Sequence, residues 1–315
     1  MANYPATVTE LHDWFPDEKA CRDYLERIRW PQGPRCPRCP EAVVWRMTPP
    51  FYRCSACRYD FTVTAGTLFD DTKLPLRLWF EAMWYVINQK NGVSALGVQR
   101  VLGLGTYRTA WRWLHKLRRA MVRPGRDRLS GNVEVDEVYV GGERAGKRGR
   151  GAAGKALVRV VAQADQTRIG RIRLARVVNA SQAVLTPAVQ GMVEPGAQVL
   201  TDGWDGYGRL AAAGYDHQTV RAQAIVGDNL LPRANRVAAL LQRWLLGTHQ
   251  GAVAHSHLDY YLDEFTFRFN RRTSSSRGLL FYRLMEHALA IGPVHCEALV
   301  GGVPPAKTRQ GETHA

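Results

Sequence analysis

The segment Asn132-Val133-Glu134-Val135-Asp136-Glu137-Val138-Tyr139-Val140-Gly141 is built largely of valine and carries three acids. A short run of β-branched residues predicts a strand. Alternation sends Glu134, Asp136 and Val138 to one face and Val133, Val135, Glu137 and Tyr139 to the other. A carboxylate in a core strand costs free energy unless it binds something. The segment therefore reads both as part of a sheet and as a candidate site.

Downstream, strand-like runs occupy residues 156–164, 168–178 and 197–201, with a helical pattern near 181–193 between the last two. Three strands, a helix and a further strand predict a mixed sheet with helices rather than a doubly wound fold. Asp202 closes the last run and precedes Gly203, which suits either a backbone approach to a ligand or an ordinary turn. A helix is expected over 232–248, with Val237, Leu240, Leu241 and Trp244 as its packed stripe. Asn235 and Gln242 share the opposite face, which looks into the site or into solvent. The basic, Gly-rich segment 142–155 offers Lys147, Arg148 and Arg150 to an anionic backbone. Arg268, Arg271 and Arg272 of the FRFNRR segment (267–272) do the same, or form a solvated face.

Upstream, VRPGRDRLSG (122–131) is turn-rich and reads as a linker. Before it, helical patterns at 76–90, 94–102 and 106–122 are punctuated by Gly92, Gly103 and Gly105, and the last two predict a helix-turn-helix. In the final helix Ala110, Trp113, Leu114, Leu117 and Met121 form an apolar stripe. Arg108, Arg112, His115 and Arg119 fall on another face, suited to phosphates and guanine edges or to plain solvation. Cys36-x2-Cys39 and Cys54-x2-Cys57, within a β-leaning stretch over 36–69, can close a tetrahedral sulfur shell around structural zinc. Cys21 and Cys296 read as buried thiols. An amphipathic stretch with Tyr24, Leu25 and Ile28 predicts a short helix beside this ribbon.

Forty-three Lys and Arg oppose 28 Asp and Glu, a formal charge of +15, which favours nucleic acid as the partner. No segment has the order of a signal peptide or the length of a membrane span, so a soluble, cytoplasmic protein without a membrane partner is expected.

CPRCP, CSACRYDFTVTAGTLFDDTKLPLRLW, VEVDEVYVGG, VLTDGWDGY, RWLLGTHQGAV and YLDEFTFRFNRR stand in this order between residues 36 and 272. Together they resemble the DDE-type insertion-sequence transposases that have an N-terminal zinc ribbon and an RNase H-like catalytic domain. The resemblance implies Asp136, Asp202 and Asn235 as the catalytic residues and ligands of two Mg²⁺ ions. Asn235 stands where relatives have Glu or Asn, and Glu264 is the reserve acid. It further implies cleavage and strand transfer on double-stranded DNA, at element ends and target, by a homo-oligomer of at least two chains. One departure is Gln242, where relatives commonly carry a DNA-facing Lys. Gln242 and the neutral Asn235 leave open a non-catalytic DNA-binding protein, and a nuclease without strand transfer shares the first step. The expected architecture is α+β and multidomain: an N-terminal helical segment (1–30), zinc ribbon (31–72), helix-turn-helix (73–122), RNase H-like mixed sheet with flanking helices (131–292) and tail (293–315).

Overall fold

The computed structural model describes residues 4–123, 125–141, 155–220, 230–251, 253–294 and 296–301. Lys147, Arg148 and Arg150, the side chain of Cys296 and the tail beyond residue 301 lie outside the described residues. The chain divides into two compact units, one formed by Met1–Pro124 with Ser274–Leu299, the other by Gly125–Thr273.

In the first unit, α1 (Val8–Trp14) and α2 (Glu18–Arg29) each start at a side-chain cap. Thr7 Oγ1 accepts from the Glu10 N–H at 3.1 Å, and Asp17 Oδ1 from the Ala20 N–H at 2.8 Å. An antiparallel sheet follows: β1 (Val44–Arg46), β2 (Tyr52–Cys54) and β3 (Asp60–Phe61). Its small core is aromatic, with Trp30 edge-on to Tyr52 and Phe61 at 5.3 and 6.0 Å. The Glu18 carboxylate accepts from the Leu76 and Arg77 N–H groups, both at 3.0 Å, which satisfies the first free donors of α3 (Leu76–Asn88). Gly103, at φ 61, ends α4 (Ala95–Leu102) in the left-handed conformation glycine adopts without strain, and α5 (Tyr107–Ala120) follows. Trp113 of α5 stacks on Trp79 of α3 at 3.8 Å.

The second unit holds a five-stranded sheet of order β6-β5-β4-β7-β8, made by β4 (Asn132–Val140), β5 (Ala156–Asp165), β6 (Arg168–Val177), β7 (Gln198–Thr201) and β8 (Asp216–Thr219). Strand β5 runs antiparallel to both β4 and β6, whereas β7 runs parallel to β4 and β8 parallel to β7. Between β6 and β7 the chain crosses through α6 (Gln182–Gln190), whose Leu185 and Val189 pack with Val133, Val135 and Tyr207. The opposite face, with Val138, Val140, Val158 and Leu200, is covered by α7 (Pro232–His249) and α8 (Leu258–Asn270). The split of β4 between two cores is the one its alternation predicts.

α9 (Arg277–Ala290) belongs to the first unit, a correction to the sequence division that kept residues up to 292 with the sheet. The reason is packing. Phe281 meets Phe15, Phe80 and Trp84 at ring-centroid distances of 6.2, 5.8 and 5.8 Å. The Leu68 N–H donates to the Ala288 carbonyl at 3.0 Å, and His287 Nδ1 lies 2.9 Å from the Ala120 carbonyl.

Candidate functional site

The three acids of β4 are used differently. Glu134 is buried, and its carboxylate accepts from the Arg233 N–H at 2.6 Å, the Ala234 N–H at 2.9 Å and Arg233 Nη1 at 2.8 Å. Glu137, on the other face, accepts from the buried Tyr207 hydroxyl. Asp136 is half-buried and accepts from the Glu137 N–H at 2.8 Å.

Asp202 follows β7 directly. Its Oδ1 accepts from the Trp204 N–H at 3.0 Å across Gly203, which sits at φ 78. The parallel ladder pairs Asn132 with Gln198, Val133 with Val199 and Glu134 with Leu200. Asp136 lies two residues beyond Glu134 within β4, and Asp202 lies two residues beyond Leu200, one past the end of β7. By alternation Asp136 shares the face of β4 that carries Glu134 and Val138, the face covered by α7. Asn235 is exposed in the first turn of α7, immediately after Ala234, whose N–H is held by Glu134. Gln242, two turns on, donates through Nε2 to the Tyr139 carbonyl at 3.2 Å. A cleft of ≈ 320 Å³ opens at the other end of these strands, between Asn132, Gln166, Gln198 and Arg233, away from the two aspartates.

In the first unit, the ligand sulfurs of Cys36, Cys39, Cys54 and Cys57 all lie within 4.8 Å of one another, with Cys36 and Cys57 3.8 Å apart. A zinc tetrahedron with Zn–S of about 2.3 Å has edges of about 3.8 Å, so the four thiols fit the ion. Backbone N–H groups of Cys57 and Ala56 directed at Cys54 hold its thiol below its ordinary pKa, toward the thiolate a metal requires.

Known protein families match two stretches of the chain. Residues 128–270 match the ISXO2-like transposase domain, and residues 16–60 match the transposase zinc-ribbon domain. The chain belongs to the insertion-sequence transposases. A relative described as an uncharacterized protein in transposable element ISH50 of Halobacterium salinarum is 27% identical over 278 residues, covering 81% of this chain and 91% of its own length. No helix among the described residues is long and apolar enough to cross a membrane.

The cationic candidates of the transposase separate by exposure. Arg108 is exposed on α5, and Arg112 and Arg119 are half-buried. His115 is fully buried, with its ring 4.1 Å from that of Trp111, a correction to its placement on the basic face. The apolar stripe of α5 is simply wider than the sequence reading allowed. In α8, the Arg268 guanidinium pairs with the buried Glu264 at 2.8 Å, so the reserve acid and the first arginine of FRFNRR neutralise one another inside the fold. Arg272 lies over Phe269 at 4.1 Å and donates to the carbonyls of Ile169, Gly170 and Phe269. Arg271 lies over Phe267 at 4.2 Å. These contacts give the segment a structural task that the sequence does not reveal. Sequence reasoning also missed Arg233 and Tyr207. The aromatic alcohol in DGWDGY was the available signal, because a buried tyrosine hydroxyl requires a partner.

Proposed function

We propose that this transposase cuts DNA at the ends of its element and joins the freed ends to a target, with Asp136, Asp202 and Asn235 as ligands for two Mg²⁺ ions. The single observation carrying this reading is the parallel β4–β7 pairing, which runs to Glu134 and Leu200, two residues before Asp136 and Asp202, while Glu134 and Glu137 of β4 are held by Arg233, Ala234 and Tyr207. The donors suit the ions: carboxylate and carboxamide oxygens are hard ligands. When bound, such ions lower the pKa of water and stabilise the leaving oxygen of an in-line displacement. The chain's own contribution is to hold three oxygen donors on a strand, a strand end and a helix, so little rearrangement is needed at reaction. The sheet, with an antiparallel triad extended by parallel strands, supports the RNase H-like assignment.

DNA recognition in this reading belongs to the ribbon and to α4 and α5 as a helix-turn-helix. Arg108, Arg112 and Arg119 face phosphates or base edges, and Gln242 replaces a cation near the site. Two ends brought together require at least a dimer. The test is incubation of zinc-loaded protein with element-end duplex and Mg²⁺, scoring cleavage and gel shift for wild type and Asp136→Ala. Loss of cleavage with binding retained supports the reading. Binding without cleavage by wild type would instead establish a non-catalytic DNA-binding protein.

A further inference from the structure

We propose that Glu134 and Glu137, on either side of Asp136, are positioning residues that register the other two ligand-bearing elements onto β4. Glu134 holds the first turn of α7, which carries Asn235, and Glu137 holds the turn after Asp202 through Tyr207. The inference rests on the ligand set proposed above.

The Glu134 side is a clasp. α7 opens with Pro232, so its first orphan donors are the N–H groups of Arg233 and Ala234, and one buried carboxylate takes both at 2.6 and 2.9 Å. Arg233 Nη1 adds a charge-assisted bond at 2.8 Å, and Nη2 reaches the Gln166 carbonyl at 3.0 Å. Burying a carboxylate is costly, and an apolar contact would join helix to strand without that cost. Directional bonds give what an apolar contact cannot, a fixed rotation and height of the helix. Asn235 is the next residue along the helix, and Asp136 is two residues along the strand on the same face.

The Glu137 side anchors a loop. Tyr207 closes a 3₁₀ turn, Asp205–Tyr207, a few residues after Asp202. Burial and the Glu137 carboxylate push the Tyr207 phenol well above its ordinary pKa, so it remains a donor. Trp204 Nε1 donates to the Ala180 carbonyl at 2.8 Å, and a Cβ at Gly206 would fall 2.5 Å from that same oxygen. Arg159, the cross-strand partner of Glu137, is buried with Nη2 3.4 Å from the Met192 sulfur. Its charge acts through space on Tyr207 and Glu137. The turn thus leaves Asp202 and is tied back to the residue next to Asp136.

Partners that orient metal ligands typically change metal affinity by about 10–100-fold when removed. The experiment titrates Mn²⁺ into the full, zinc-loaded chain, follows free Mn²⁺ by electron paramagnetic resonance, and records a thermal melt of each variant. Tyr207→Phe and Glu134→Gln are expected to weaken Mn²⁺ binding about 10–100-fold. Glu137→Gln keeps an acceptor for the Tyr207 hydroxyl and is expected to stay within a few-fold of wild type. A purely structural role would lower the melting temperature and leave the Mn²⁺ affinity of the folded protein unchanged, which would overturn the proposal. Should Glu134→Gln fail to fold, Glu134→Asp keeps the charge but withdraws the carboxylate by one methylene, and the same weakening is expected of it. Asp136→Ala separates the two levels. If it retains Mn²⁺ binding, the ligand set is wrong; if it loses binding while Tyr207→Phe and the Glu134 variants keep it, only the positioning role falls.

Discussion

Asn235 brings an oxygen but no charge, so the proposed site holds its cations with two carboxylates. Asn235→Asp is therefore expected to lower the Mg²⁺ concentration that half-saturates cleavage, and Asn235→Ala to raise it, with end binding unchanged in both. A surface position without a ligand role would leave both within roughly ±0.5 kcal/mol of neutral and all three magnesium curves superimposed. His217 makes a second residue-scale test. Its Nε2 lies 2.9 Å from Thr201 Oγ1, directly before Asp202, and burial holds its pKa below the ordinary 6.5. The unfolded chain then binds a proton the folded one does not, so this contribution to stability is present above about pH 6.5 and is lost below it, as pH falls through the lower folded pKa. Melting temperatures from pH 7.5 to 5.5 should drop less steeply in His217→Gln, and parallel slopes would contradict the assignment. Three acids in β4 could be seen in the sequence, but not their separate tasks. The groups that claim Glu137 and Glu134 lie 70 and 99 residues away, and no local pattern connects them.

At the scale of elements, the ribbon has strands of two and three residues and a core centred on Trp30, Tyr52 and Phe61. So little buried area does not hold a fold without its metal, whose binding supplies on the order of 10 kcal/mol in comparable modules. One zinc per chain is expected by elemental analysis, with loss of the metal in Cys54→Ser and melting of the ribbon on chelation. A metal-free protein with unchanged near-ultraviolet dichroism would refute this. Spacing alone made the ribbon legible, because CxxC pairs are local. The strands from β4 to β7 were equally legible from β-branched runs. β8, Asp216–Thr219, was not: its Asp-His-Gln-Thr sequence has no apolar alternation, and it is recognisable only through its pairing with β7. α8 escaped for the opposite reason. Tyr260, Tyr261, Leu262, Phe265, Phe267 and Phe269 are all buried, and a helix apolar on several sides loses its period.

For the whole molecule, the consequential feature is that the first unit is discontinuous in sequence. Phe281, Leu284, Met285 and Ala288 of α9 are fully buried. They pack in a core whose remaining members come from residues before 124. Burying each large apolar side chain contributes roughly 1.5–3 kcal/mol, so removing three of them withdraws several kcal/mol from a unit whose net stability is of the order of 5–15 kcal/mol. The hydrogen bonds from Leu68 to Ala288 and between His287 and Ala120 go with them. A fragment of residues 1–124, which a linker at 122–131 would suggest as a free-standing DNA-binding module, is therefore expected not to fold cooperatively. Adding a peptide of residues 274–299 in trans should restore a melting transition, and with it the end-DNA gel shift. The measurement is a thermal melt by circular dichroism with zinc present throughout, so that loss of metal does not imitate loss of α9. A fragment 1–124 that melts cooperatively close to the full chain's transition, unaffected by the peptide, would show that α9 rests on this unit without holding it together.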